Sequence, residues 1–398
     1  MKKIITIVIL LLLIVGGLFS FQIWNQKNNK KEETKEKETI EKNENSLEDT
    51  DIKNSIFKKS YQSAIKTVSK MSLEEKVGQL FLVRYDKTLT NILKNNYPGG
   101  YILFAKDFEN HTKESMYQEL EQLQKNSKYP LIIGVDEEGG FVTRVSRFTE
   151  FRSEKFKSPK DYYKEGGYEL LEKIEKEKAS LLKEIGINLN LAPVADISTN
   201  ENDFIYSRSF GEDANKTAEY IEKMVEYANN NHINSCLKHF PGYGNNVDTH
   251  TGIAIDDREY QSLQQNDFLP FISGIKKNVP SILVSHNIVN SIDSEYPSSL
   301  SKKVINILRN ELNFTGIIIT DDLAMDAVKE YVEDKNAATI AVNAGNDMII
   351  TSDFQNMYEE VINSVKNNKI REETLNKAVI RIIAWKYESN LWKGENND

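Results

Sequence analysis

Eight short runs, most of them apolar and rich in β-branched or aromatic residues, constrain the fold of this chain more than any other feature. They read GQLFLVRY (78–85), GYILFA (100–105), LIIGVD (131–136), INLNLAPV (187–194), NSCLKH (234–239), SILVSH (281–286), GIIITD (316–321) and DMIIT (347–351). Between them, stretches such as KESMYQELEQLQKN, YELLEKIEKEKASLLKEIG and NKTAEYIEKMVEYANNN place apolar residues three and four apart. That spacing gives a helix one buried face. Eight strand–helix units within about 320 residues predict an α/β protein, a closed (β/α)8 TIM barrel. An open doubly wound sheet alternates in the same way, but the unit count favours the barrel. The segment from Thr374 to Trp392 is apolar at helical spacing and is expected to pack on the barrel as a final helix.

Polar residues close these runs. Asp136 ends the third, Lys238 and His239 the fifth, His286 the sixth and Asp321 the seventh. Strands often stop at a polar residue, so one such position means little. In a barrel, however, all strand ends converge on one mouth, where the chemistry sits. The fifth run leads directly into KHFPGYGNNVDTH (238–250), which sets Lys238, His239, Asp248 and His250 around Pro241, Gly242 and Gly244. Glycine and proline at that density mean a tight, specially shaped loop.

The chain ahead of residue 60 has a different character. MKKIITIVILLLLIVGGLFSFQIW is apolar almost without a break from Ile4 to Phe21. Its length is marginal for a bilayer span, which needs about twenty residues. Lys2 and Lys3 suit a cytoplasmic start, and Phe21 and Trp24 suit the opposite interface. A cleaved signal peptide is the rival reading, but Leu18-Phe19-Ser20 makes a poor cleavage site. Residues 1–25 are therefore expected to form a membrane anchor that leaves the rest of the protein extracytoplasmic. Residues 26–59, rich in Lys, Glu and Asn, are expected to be a disordered linker. Residues 60–398 would be the catalytic domain, acting as a monomer.

Charge and cysteine content exclude other classes. Lys and Arg total 51 and Asp and Glu 60, a net charge of −9. Nucleic-acid binding wants a basic face instead. The single cysteine, Cys236, permits neither an internal disulfide nor a cysteine-based zinc site. It reads as a small core residue.

Two chemistries suit a barrel mouth bearing His and Asp. His239, His250, His286 and Asp321 could ligate a metal with one position open. Barrel metallohydrolases usually begin with a His-x-His pair on the first strand, and GQLFLVRY has no histidine. The alternative is cleavage of a glycosidic bond, with a carboxylate nucleophile and a second group acting as acid and then base. An Asp-x-His pair suits the second role, because a carboxylate holds the imidazole in one tautomer.

IIGVDEEGGFVTRV, SRSFGED, KHFPGYGNNVDTH and GIIITDDLAMDAV, in this order and at strand ends, resemble the family 3 glycoside hydrolases. The likeness is above all to their single-barrel β-N-acetylhexosaminidases (β-N-acetylglucosaminidases), and it covers roughly residues 60–390. It implies that Asp321 is the nucleophile, His250 the general acid/base and Asp248 the partner that orients His250. Asp136, Arg144 and Arg208 would bind sugar hydroxyls, with Lys238 and His239 deeper in the pocket. No metal or organic cofactor is implied. The expected substrate is a carbohydrate carrying terminal N-acetylglucosamine, such as a cell-wall muropeptide.

Blander readings stand beside these. Asp136 could merely end a strand, and Arg208 could be a surface ion pair. Asp322 and Asp326 read as charges at a helix entry. His286 reads as a packed rim residue, and His111 and His232 as structural.

Two positions depart from the family pattern: Phe141 where EEGG is commonly followed by arginine, and Tyr243 where the loop commonly reads PGHG. Both bear on the leaving-group side of specificity. Two alternatives also remain: a β-glucosidase, β-xylosidase or phosphorylase of the same family, or a non-catalytic glycan-binding barrel at the cell surface.

Overall fold

The computed structural model describes residues 44, 47, 49–90, 94–244, 254–325, 328, 331–332 and 336–392. Eight parallel strands close into a barrel: β1 (Phe81–Arg84), β2 (Gly100–Leu103), β3 (Ile132–Val135), β4 (Leu189–Asn190), β5 (Asn234–Phe240), β7 (Ser281–Val284), β9 (Ile317–Thr320) and β10 (Met348–Thr351). The ring runs β1-β10-β9-β7-β5-β4-β3-β2. Two further strands, β6 (Ile255–Asp256) and β8 (Ile288–Val289), pair in parallel outside it. β1, β2, β3, β7, β9 and β10 are buried almost throughout, as near-continuous Ile, Leu and Val runs require when both faces are covered.

The longer helices form the outer layer: α1 (Tyr61–Val68), α2 (Lys113–Lys125), α3 (Pro159–Glu184), α4 (Ala214–Asn230), α5 (Phe268–Lys276), α6 (Ala337–Ala344), α7 (Phe354–Lys366) and α8 (Glu372–Glu388). α4 illustrates the cause. Asp213 caps its first turn by accepting from Lys216 N. Tyr220, Ile221, Met224, Val225 and Ala228 then recur on one buried face.

The last helix has a distinct place. Trp385 donates its indole N–H to Asn234 at the start of β5. Lys386 reaches Gln79 just before β1, and Arg381 pairs with Asp347 just before β10. α8 therefore crosses the N-terminal end of the barrel, and the other end is left for the mouth.

The strands are shorter than the sequence runs. Gly78 and Gln79 belong to a short helix, Leu73–Gln79, started by a capping box between Ser72 and Glu75. In INLNLAPV only Leu189 and Asn190 join the ladder. Pro193 lacks a backbone donor, and beyond it the chain follows β5 through a single bridge, Val194 to Lys238.

The folded unit also begins earlier than residue 60. It reaches back to Asp49, with a helical turn at Thr50–Lys53. Ile52 and Phe57 are buried, so the last part of the segment expected as a 26–59 linker is structured. The reason is tertiary: those two apolar side chains follow a stretch with almost none and are buried on folding, and the Ile56 amide bonds to Thr315, far along the chain. The expected anchor, residues 1–25, lies outside the described residues. Among those described, no helix is long and apolar enough to cross a membrane.

Candidate active site

β3 ends at Val135 and delivers Asp136, Glu137 and Glu138 to the mouth. The three acids have different fates. Glu137 is fully buried and shapes the loop, accepting from the amides of Arg144 (2.8 Å), Val145 (2.7 Å) and Ser146 (3.3 Å). Its own amide is held by Asn190 Oδ1 at 3.0 Å. Asp136 accepts from Lys238 Nζ at 2.6 Å.

Glu138 is the acid that sequence reasoning passed over. It accepts from Arg208 Nε at 3.0 Å and Nη2 at 2.7 Å, and Lys238 Nζ lies 2.6 Å from its Oε1. Burial by itself would raise its pKa, but the charges of Arg208 and Lys238 override this and hold it well below the usual carboxylate range. Burial would likewise lower Lys238, yet Asp136 and Glu138 keep it above the usual lysine value. Arg208 is therefore no surface ion pair. Nothing in EEGG distinguishes Glu138 from Glu137, because the cation that Glu138 meets, Arg208, lies 70 residues further along the chain.

β5 supplies Lys238 and His239. Two of its peptide bonds, Lys238–His239 and Phe240–Pro241, are cis. His239 is buried with both ring nitrogens engaged: Nδ1 with Asp196 at 2.7 Å and Nε2 with Arg208 Nη2 at 3.2 Å. Through Nε2 the ring also steadies the Arg208 guanidinium. Asp196, beyond β4, was also missed, because a strand-following aspartate in LAPVAD has no motif chemistry of its own.

Arg144 presents a different picture. Its guanidinium stacks on Phe104 at 5.4 Å, and Nε is buried without a hydrogen-bond partner. No carboxylate neutralises it among the described residues. It is a cation held in place by an aromatic ring, with donors still to satisfy.

The turn after β5 is pinned from below. Gly242 has φ +122°, and an added Cβ would lie 2.5 Å from Asp267 Oδ1. Arg258 joins Asp256 and Asp267 and donates to the Gly242 carbonyl at 3.3 Å. Tyr243 is buried, its ring 5.4 Å from His239 and 5.6 Å from Phe204. Phe141, the other departure from the family pattern, is 79% exposed. Asp248 and His250 lie outside the described residues, as does Asp326.

Across the mouth, Asp321 follows β9. Its amide bonds to Val284 O at 3.0 Å, and its Oδ1 accepts from Asp322 N at 2.8 Å. Asp322 turns away to tie two loops, accepting from Ala324 N (2.9 Å) and Ser352 N (3.1 Å). Burial raises its pKa. His286 is fully buried, between Ser299 Oγ (2.7 Å) and the Asp322 carbonyl (3.0 Å). Neither His239 nor His286 leaves a ring nitrogen open to a metal. His111 pairs with Ser115 on α2. His232 sits at a positive-φ position after α4.

This is a barrel of the class that sets its chemistry on the loops after parallel strands, with paired charges at one side of the mouth and an aspartate opposite. The pattern of the glycosyl hydrolase family 3 N terminal domain matches residues 72–385. The chain belongs to that family. A beta-hexosaminidase of Nitrosomonas eutropha is 30% identical over 299 residues, covering 73% of this chain and 85% of the relative. Beta-hexosaminidase A of Pseudoalteromonas piscicida is 27% identical over 332 residues, and the chain spans about half (54%) of its length. A family 3 β-N-acetylglucosaminidase from Paenibacillus superposes with a TM-score of 0.75 at 25% identity, covering 82% of this chain and 64% of that one.

Proposed function

We propose that the protein is a retaining exo-glycosidase that removes terminal β-linked N-acetylglucosamine from cell-wall muropeptides or related glycans. One observation carries the reading. Asp321 after β9 and Asp136 after β3 lie four strands apart in an eight-strand ring, on opposite sides of the mouth. A single pyranose can lie between them, with its anomeric carbon at Asp321 and its far hydroxyls at Asp136, Lys238 and Arg144. The ion pairs of Glu138 with Arg208 and Lys238 close that far side, which favours action at a chain end. The names of the relatives support N-acetylhexosamine as the sugar.

In this mechanism Asp321 attacks the anomeric carbon while His250, oriented by Asp248, protonates the leaving oxygen. Neutral His250 then activates water against the glycosyl-enzyme, and two displacements retain configuration. An imidazole with an ordinary pKa of about 6.5 reaches both forms near neutral pH. A panel of 4-nitrophenyl β-glycosides, with and without phosphate, tests the sugar and the acceptor. N-acetylglucosaminide should be cleaved best, and no cleavage of any member would sink the reading.

The apolar run Ile4–Phe21, with Lys2 and Lys3 before it, supports export and tethering to the membrane. Protease treatment of intact cells should reach the barrel. Protection of the barrel would overturn export, and a mature protein starting after residue 24 would overturn the anchor.

A further inference from the structure

Asp196 is 1% exposed, and three N–H groups converge on its carboxylate. Oδ2 accepts from His239 N at 3.0 Å and from His239 Nδ1 at 2.7 Å, while Oδ1 accepts from Tyr243 N at 2.8 Å. An ionised carboxylate only accepts, so Nδ1 of His239 carries a proton. On the other side of the ring, Nε2 faces Arg208 Nη2 at 3.2 Å. A guanidinium only donates, so Nε2 carries none. The two neighbours select the same tautomer independently.

We propose that Asp196 is a positioning residue for glycoside cleavage, acting through His239 and Tyr243 at once. By holding His239 in the Nδ1–H tautomer it gives Arg208 an acceptor, which together with Glu138 aims the guanidinium. By holding the Tyr243 amide it sets the root of the loop on which Asp248 and His250 follow. One buried carboxylate thereby links the sugar-holding side of the mouth to the loop bearing the acid/base pair. This inference rests on the glycosidase reading above.

Asparagine at position 196 would offer one acceptor oxygen and two donors to the same three N–H groups. One or more would lose its acceptor, and His239 could take its proton on Nε2, pointing it at a donor of Arg208. Two measurements test this. Nitrogen-15 NMR of the free wild-type protein at pH 7, with His239 assigned by its contact with the Tyr243 ring, should find the proton on Nδ1. Asp196→Asn should shift that signal, raise KM and lower kcat by about ten-fold each, as expected when buried donors lose an acceptor. Asp196→Glu, which keeps the charge but displaces it, should not restore either constant.

A wild-type proton on Nε2 would overturn the proposal. So would a folded Asp196→Asn variant that melts lower but keeps both kinetic constants. Should neither variant fold, the wild-type tautomer decides alone. A wild-type protein inert toward every glycoside would instead sink the functional reading, because the NMR result needs no substrate.

Discussion

Arg208 grips Glu138 through two nitrogens, Nε at 3.0 Å and Nη2 at 2.7 Å from the carboxylate oxygens. Lys238 shares that carboxylate, and all three side chains are nearly or fully buried. Two cations and two anions, counting Asp136, balance within this cluster, so the cluster itself carries no net charge. Beside it, Arg144 is a cation without a carboxylate partner among the described residues.

Glu138→Gln should therefore be costly, because a neutral amide leaves a buried cation uncompensated. Breaking a buried pair from one side typically costs about 3–5 kcal/mol. Urea unfolding at pH 7 should find a loss of that order, with weaker substrate binding. The sign with pH follows from the depressed folded pKa of Glu138. Its contribution is complete above the ordinary glutamate pKa of about 4.3 and fades as pH falls further. The gap between wild type and variant should narrow in acid.

Asp321 and Asp322 are adjacent but predict opposite tolerances. Asp321→Asn removes the proposed nucleophile and should bring turnover to background on every glycoside, whatever the leaving group. Asp322→Asn keeps an oxygen for the Ala324 and Ser352 amides, so activity should stay within a few-fold of wild type. Comparable rates for both asparagine variants would refute the assignment.

His250→Ala should slow both half-reactions by about 10²–10⁴-fold, the usual worth of general acid–base assistance. An aryl glycoside with a good leaving group needs no proton in the first step and should recover it selectively. Stopped-flow release of the aryl group would then show a burst followed by slow turnover. Product analysis by NMR should find retained configuration, and inversion would dismiss the covalent route.

Lys386 is fully buried with Gln79 Oε1 as its hydrogen-bond partner, and burial lowers its pKa to about 7. The unfolded chain holds this proton up to about pH 10.4, so between 7 and 10.4 it binds more protons than the native state. Stability should rise with pH across that window on account of this group. Lys386→Met should stabilise the barrel most at pH 7 and below, and the gain should disappear near pH 10.4. Thermal melts of both proteins at pH 6, 8 and 10 check the sign.

The unit count and the polar strand ends made the barrel and its mouth readable from the chain. Both depend on local pattern, since period and turn chemistry are properties of neighbouring residues. Asp136, Lys238, His239 and Asp321 were legible for that reason. Glu138 and Asp196 were not, because their partners lie 70 and 43 residues away in sequence at Arg208 and His239. The early start of the fold at Asp49 was missed on similar grounds: Ile52 and Phe57 have meaning only once there is a surface to bury them.

What the sequence determined alone was the alternation of strands and helices, the side of the barrel on which chemistry could gather, and the residue types available there. Tertiary structure decided how those residues divide the work. Closure of the ring put Asp321 opposite Asp136, burial forced Glu138 and Lys238 into paired charges, and the facing donors of Arg208 chose the tautomer of His239. Each depends on atoms brought together from distant strands, where low polarity makes every unpaired charge or N–H expensive.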